Sequence, residues 1–162
     1  MTLILQDPSL ITHQAHINGH WVDADSGETL DVTNPATGEV LSKVSKCGTA
    51  ETRRMIEAAA VAQKSWSETT AKERAALLRR WFTLIMDNQE DLAQILTAEQ
   101  GKPLAEARGE IAYGANYIEW FGEESKRVYG DIIPQPSNDK RVMVIKQPVG
   151  VVACITPWNF PN

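Results

Sequence analysis

Apolar residues near the start of the chain come in short runs broken by turn-forming groups. Ile17-Asn18-Gly19-His20-Trp21-Val22 sets Asn-Gly between apolar neighbours. A two-residue hairpin turn needs positive φ at both central positions, which Asn and Gly tolerate best, so a hairpin is expected here. Asp25-Ser26-Gly27 and Asn34-Pro35-Ala36-Thr37-Gly38 are further turn clusters. With strand-like runs around Leu30 to Thr33 and Val40 to Val44, they predict a small antiparallel arrangement with Cys47 at its exit.

At Thr49 the period changes. Met55, Ala59, Ala62 and Trp66 recur at steps of three and four residues, the spacing of one helical face, and Thr49 is expected to cap the start. Thr70-Ala71-Lys72-Glu73 reads as a capping box, and behind it Leu77, Leu78, Trp81, Phe82, Ile85 and Met86 make a wide apolar stripe. Asp87-Asn88 interrupts that helix and can cap a shorter one carrying Leu92, Ile95 and Leu96, ending at Gly101. Pro103 suits the first turn of a fourth helix, running through Ile111, Ile118 and Phe121 towards Gly130.

Beyond Pro134 and Pro136, Arg141 to Lys146 is a short apolar run with a basic residue at each end, as in an edge strand. Val149 to Ile155, after Pro148, is almost wholly apolar and rich in valine, the composition of a strand buried on both faces of a parallel sheet. Such a strand needs parallel partners reached through crossover helices. The sequence therefore predicts that the chain continues past Asn162.

Composition narrows the class. With 162 residues, 43% hydrophobic and 23% charged, the chain can bury one core or supply part of a larger fold. A net charge of -5, from 16 basic and 21 acidic residues, argues against gripping phosphate backbones, so no nucleic-acid partner is expected. No leader-like segment or long apolar run appears, which predicts a cytoplasmic protein with no membrane partner. Cys47 and Cys154 are far apart and lack Cys or His neighbours at ligand spacing, so neither a disulfide framework nor a metal site is expected. His13, His16 and His20 read as solvated hairpin residues, and Cys154 as a buried, inert thiol.

Dinucleotide glycine fingerprints, phosphate loops and nucleophile elbows are absent. One candidate remains. Ile155-Thr156-Pro157-Trp158-Asn159-Phe160-Pro161 lies at the carboxyl end of the apolar run, where open α/β sheets bind ligands. Two prolines restrict the backbone around an amide flanked by aromatic rings. The Asn159 side chain can donate to a developing oxyanion. On the residues alone the segment reads better as a rigid turn whose aromatics are core and whose Asn braces nearby backbone.

Thr156-Pro157-Trp158-Asn159-Phe160-Pro161, preceded by Gln147-Pro148-Val149-Gly150-Val151, closely resembles a signature of the aldehyde dehydrogenase superfamily. Ile17-Asn18-Gly19-His20-Trp21, Asn34-Pro35-Ala36-Thr37-Gly38, Glu99-Gln100-Gly101-Lys102-Pro103 and Tyr129-Gly130-Asp131 look like that family too, in order along nearly the whole chain. Leu104-Ala105-Glu106-Ala107, Ile118-Glu119-Trp120-Phe121 and Lys140 to Lys146 look most like its succinate-semialdehyde branch.

The resemblance implies an α/β fold and three regions. Residues 1–138 would be the β-hairpins and helices of the cofactor-binding domain, 139–148 an oligomerisation strand, and 149–162 the first buried strand of a Rossmann-like, dinucleotide-binding parallel sheet. It implies oxidation of an aldehyde, through a cysteine thioester, with NAD or NADP as cofactor. Asn159 would be the side-chain half of the oxyanion hole. Ile155, Thr156, Pro157, Trp158 and Asn159 would lie along the cofactor, while Phe160 and Tyr113 would line the substrate tunnel. The nucleophile and the base would lie in sequence after Asn162, and the full subunit would be a homo-oligomer, a dimer or tetramer. The competing reading is a short form without catalysis that acts as an interaction module.

Overall fold

The structure, a computed structural model, describes residues 3–162. Met1 and Thr2, where the first expected region begins, lie outside that range. Asn18 and Gly19 take φ of 51° and 80°, as the Asn-Gly turn requires, and join β1 (Ala15–Ile17) to antiparallel β2 (His20–Val22). The second turn cluster joins β3 (Thr29–Thr33) to antiparallel β4 (Val40–Ser45). There the Asn34 side chain accepts from the Ala36 N–H at 2.9 Å, and Gly38 takes φ of 75°. The Ser45 N–H donates to the His13 carbonyl at 2.8 Å and ties the second pair to the segment entering the first.

Helix α1 (Thr49–Glu68) starts one residue earlier than expected. Gly48 is its N-cap, and Thr49 is already helical. The reason is Glu51, whose carboxylate reaches back to the Gly48 N–H at 2.9 Å and also accepts from the Asp25 N–H at 2.7 Å. These bonds, Asp25's foremost, hold the Glu51 acid below its ordinary value and explain a buried carboxylate. In α2 (Ala71–Asp87) the capping box forms as read. Thr70 Oγ1 accepts from the Glu73 N–H at 3.2 Å, while the Glu73 carboxylate accepts from the Thr70 N–H at 2.7 Å.

Asn88 does not cap α3 (Gln89–Gln100) through its side chain. Its amide instead donates to the Leu84 carbonyl at 2.8 Å and closes α2. Gly101 ends α3 at φ 81°, where a Cβ would stand 2.9 Å from the Pro35 ring. Pro103 then stands immediately before α4 (Leu104–Glu124), which gives way to a 3-10 turn at Ser125–Arg127, short of Gly130. Antiparallel β5 (Asp131–Ile133) and β6 (Val142–Val144) follow, so the expected edge strand pairs with a strand that the sequence reading lacked. Gly130 carries no Cβ because the Val144 carbonyl occupies that space.

The core lies between α3 and α4, where Ala93, Leu96, Ala107 and Ile111 are buried and Ile85, Leu92 and Leu104 pack around them. Alanines at the contact let the helix axes approach closely. Gly122 does the same between α4 and α2, with Leu78 Cβ only 3.2 Å from where its own Cβ would sit. The apolar stripe on α2 is wider than the surface that covers it, so Leu77 and Trp81 stay exposed, as do Met55, Ile56 and Trp66 on α1.

Val149 to Ile155 corrects an expectation. The run forms no strand, and Val149 and Ile155 are 93% and 95% exposed. A strand buried on both faces exists only through its neighbours, and the described residues supply no parallel partner. Cys154, expected to be buried, is exposed for the same reason.

Candidate functional site

The loop singled out in the sequence closes on itself. The Phe160 N–H donates to the Pro157 carbonyl at 3.1 Å, making a turn through Trp158 and Asn159. Thr156 Oγ1 donates to the Pro161 carbonyl at 3.2 Å, bridging the two proline-flanked ends. This loop rests against α4 and the residue that precedes Pro103. Lys102 Nζ donates to the Asn159 carbonyl at 2.8 Å, pairs with Glu110, and sits 4.3 Å from the centre of the Phe160 ring. Glu110 Oε1 accepts from the Asn162 N–H at 3.2 Å. The side chains of Lys102 and Glu110 are only 11% and 2% exposed. Gly114, one turn along α4 from Glu110, has no Cβ, and the Asn162 amide occupies that space.

Phe160 meets Tyr113, with ring centres 6.4 Å apart. Tyr113 in turn stands edge-on to Tyr117, their rings 5.1 Å apart and their hydroxyls at 2.7 Å. That hydroxyl contact, foremost, raises the Tyr117 phenol above its ordinary value. An apolar groove of about 330 Å³ runs on along α4, lined by Tyr113, Asn116, Tyr117, Trp120 and Phe121. A larger groove of about 480 Å³, bounded by Ser9, Ile11, His13, Trp21 and Asp23, shares no residue with the loop.

Of the residues predicted from sequence, Asn159, Phe160 and Tyr113 come together at one place. The Asn159 side chain takes no hydrogen-bond partner among the described residues, so the amide does not brace nearby backbone. Ile155, Thr156, Pro157 and Trp158 form an exposed approach to that place, with the Trp158 indole 83% exposed. His16 packs edge-on against Trp21 at 5.1 Å, and His13 Nδ1 lies 3.1 Å from the Lys43 carbonyl. Among the described residues no group of three His, Cys, Asp or Glu side chains is placed to hold a metal.

Lys102 and Glu110 were not foreseen as site residues. Lys102 precedes the helix and Glu110 lies within it, so no periodic pattern links them. The one available signal was a lysine immediately before a proline at a helix start, in a run already notable for its motif.

The profile of the aldehyde dehydrogenase family matches residues 21–162. A glutarate-semialdehyde dehydrogenase of Pseudomonas putida is 65% identical over 157 residues, covering 97% of this chain and 33% of that protein. A succinate-semialdehyde dehydrogenase (NADP(+)) of Escherichia coli is 60% identical over 157 residues, with coverage of 97% and 33%. The crystal structure of an aldehyde dehydrogenase from Brucella melitensis biovar abortus 2308 superposes with a TM-score of 0.96 at 57% identity, covering 99% of this chain and 33% of that one. The chain thus spans about a third of the length of the curated relatives it matches.

Proposed function

Because this chain belongs to the aldehyde dehydrogenase family, we propose that it forms part of a catalytic subunit that oxidises a short aldehyde with a distal carboxylate, succinate semialdehyde first, to the acid with NAD or NADP. One observation carries this reading: Lys102 holds the Asn159 carbonyl next to Phe160, whose ring meets Tyr113 at the end of an apolar groove, and the Asn159 side chain takes no hydrogen-bond partner among the described residues. The substrate class is supported by relatives named for succinate and glutarate semialdehydes.

In this proposal the groove along α4 leads the aldehyde in, with Tyr113 and Phe160 as its apolar walls. Asn159 donates its side-chain N–H to the carbonyl oxygen as charge develops there, a contact stronger in the transition state than in the ground state. The attacking thiolate and the glutamate base come from residues outside this chain. In the same proposal Ile155, Thr156, Pro157 and Trp158 lie along the dinucleotide, at the exposed approach to the Asn159 loop. The bound dinucleotide supplies a hydride acceptor. The edge of β6, with Met143 exposed within it and Ile145 exposed just after it, suits strand addition by a second subunit, and the homo-oligomer belongs to this proposal.

The test is Asn159→Ala in the full subunit, assayed with succinate semialdehyde and each dinucleotide. A fall in kcat of about 10²–10³-fold is expected, with KM for the dinucleotide nearly unchanged. A wild-type subunit unable to oxidise any short aldehyde would overturn the proposal.

A further inference from the structure

We infer that Lys102 and Glu110 act together as a bracket that sets the position of Asn159, making Lys102 a positioning residue for the oxyanion donor. The inference rests on the proposed role of Asn159 and adds to it the group that aims it.

The two side chains divide their bonding capacity with little left over. Glu110 gives one oxygen to Lys102 and the other to the Asn162 N–H. Lys102 Nζ donates hydrogen bonds to Glu110 and to the Asn159 carbonyl and lies over the face of Phe160. The loop is therefore gripped at Asn159, at Phe160 and at Asn162 by one ion pair. A buried ion pair is a poor source of stability, because desolvation offsets its Coulomb attraction and an apolar pair of the same volume often serves as well. What an apolar pair lacks is direction. Donors and acceptors fix angles as well as distances, and pinning the Asn159 carbonyl fixes the peptide plane that follows the Asn159 Cα.

Other ion pairs in the chain differ. Lys43–Asp31, Lys46–Glu28, Arg54–Asp25 and Arg108–Glu90 have side chains 45–63% exposed. At the bracket α4 also omits a Cβ, at Gly114, where the Asn162 amide sits. An oxyanion donor must lie within a few tenths of an ångström of its best position, and a shift of about 1 Å can cost 10²-fold in rate. The bracket is built for that tolerance.

The experiment compares Lys102→Met, Lys102→Arg and Gly114→Ala in the full subunit, alone and with Asn159→Ala. For Lys102→Met, kcat is expected to fall at least about 10-fold, with KM for the dinucleotide little changed and partial recovery in Lys102→Arg. The double variant Lys102→Met/Asn159→Ala should be no slower than Asn159→Ala alone, since the position of an absent donor has no effect. Amide hydrogen exchange should quicken across residues 155–162 and nowhere else. Losses that multiply in the double variant, or exchange unchanged at 155–162 or raised throughout, would overturn the bracket. If Lys102→Met fails to fold, Gly114→Ala decides the matter, because it displaces the Asn162 amide while leaving the ion pair in place and must produce the same local exchange. A wild-type subunit without aldehyde oxidation would sink the proposed function, and the exchange arm would still decide the bracket.

Discussion

Replacing Ile111 by alanine tests where the fold keeps its stability. Ile111 is 2% exposed and meets Ala93, Leu96 and Ala107 in the α3–α4 core. Three carbons are removed, worth about 0.8 kcal/mol each on transfer, or about 2.4 kcal/mol together. The neighbours decide what is added for the void. Ala93 and Ala107 are both fully buried and have no side chain able to swing into the space, so the cavity stays open. The expected total is about 3–4 kcal/mol. In the full subunit the loss is read as a lower midpoint in thermal and urea unfolding followed by circular dichroism. Ile56→Ala on α1 is the control, because that side chain is 54% exposed and its loss should cost under about 1 kcal/mol. A cost below about 1 kcal/mol for Ile111→Ala, or an equal cost for the two variants, would refute the reasoning: either the α3–α4 contact is not the core, or α1 is covered in solution.

Two further outcomes follow from the helix contacts and the acids. Gly122→Val should cost about 1–3 kcal/mol in the same unfolding assay, because even a first added carbon would lie 3.2 Å from Leu78 Cβ and α2 would be pushed off α4. Asp25, Glu51, Glu73 and Glu90 all have folded-state values below their ordinary ones, Asp25 and Glu90 through Arg54 and Arg108, Glu51 and Glu73 through backbone N–H donors. Groups depressed in this way stabilise fully above their unfolded values, and the contribution is lost as pH falls through the folded ones. Tm should therefore drop on acidification below about pH 4, and Glu51→Gln should flatten that dependence. Glu99 is raised by partial desolvation and works in the opposite sense, so it moderates the slope without reversing it.

Elements with local causes were legible. The Asn-Gly turn, the Thr70 capping box and the Gly101 helix end each depend on a few adjacent residues, and each formed where its chemistry required. Boundaries that depend on distant groups were not. The start of α1 is set by Glu51 reaching both Gly48 and Asp25, and Asn88 chose the carbonyl behind it over the N–H groups ahead. The partner of β6 escaped notice because Asp131–Ile133 is too short to show alternation. Val149 to Ile155 reads as a buried strand from composition alone, but composition states what a strand would need without providing it, and the described residues hold no parallel partner for it. The candidate loop could be singled out because aromatics and an amide cluster in sequence. The bracket was invisible because Lys102 and Asn159 are joined only by the fold.

The bracket also orders events in time. Lys102 and Glu110 stand eight positions apart, across a single helix start, whereas Lys102 and Asn159 are separated by 57. Contacts between near neighbours in sequence close with little entropic cost, and distant ones close late. During synthesis from the N-terminus, the corner of α3 and α4 can assemble its charges, its alanine contacts and the vacancy at Gly114 before Asn159 has been made. The loop would then arrive at a receptor already formed, and in the role proposed for Asn159 its precision would be inherited from the part of the molecule that folds first.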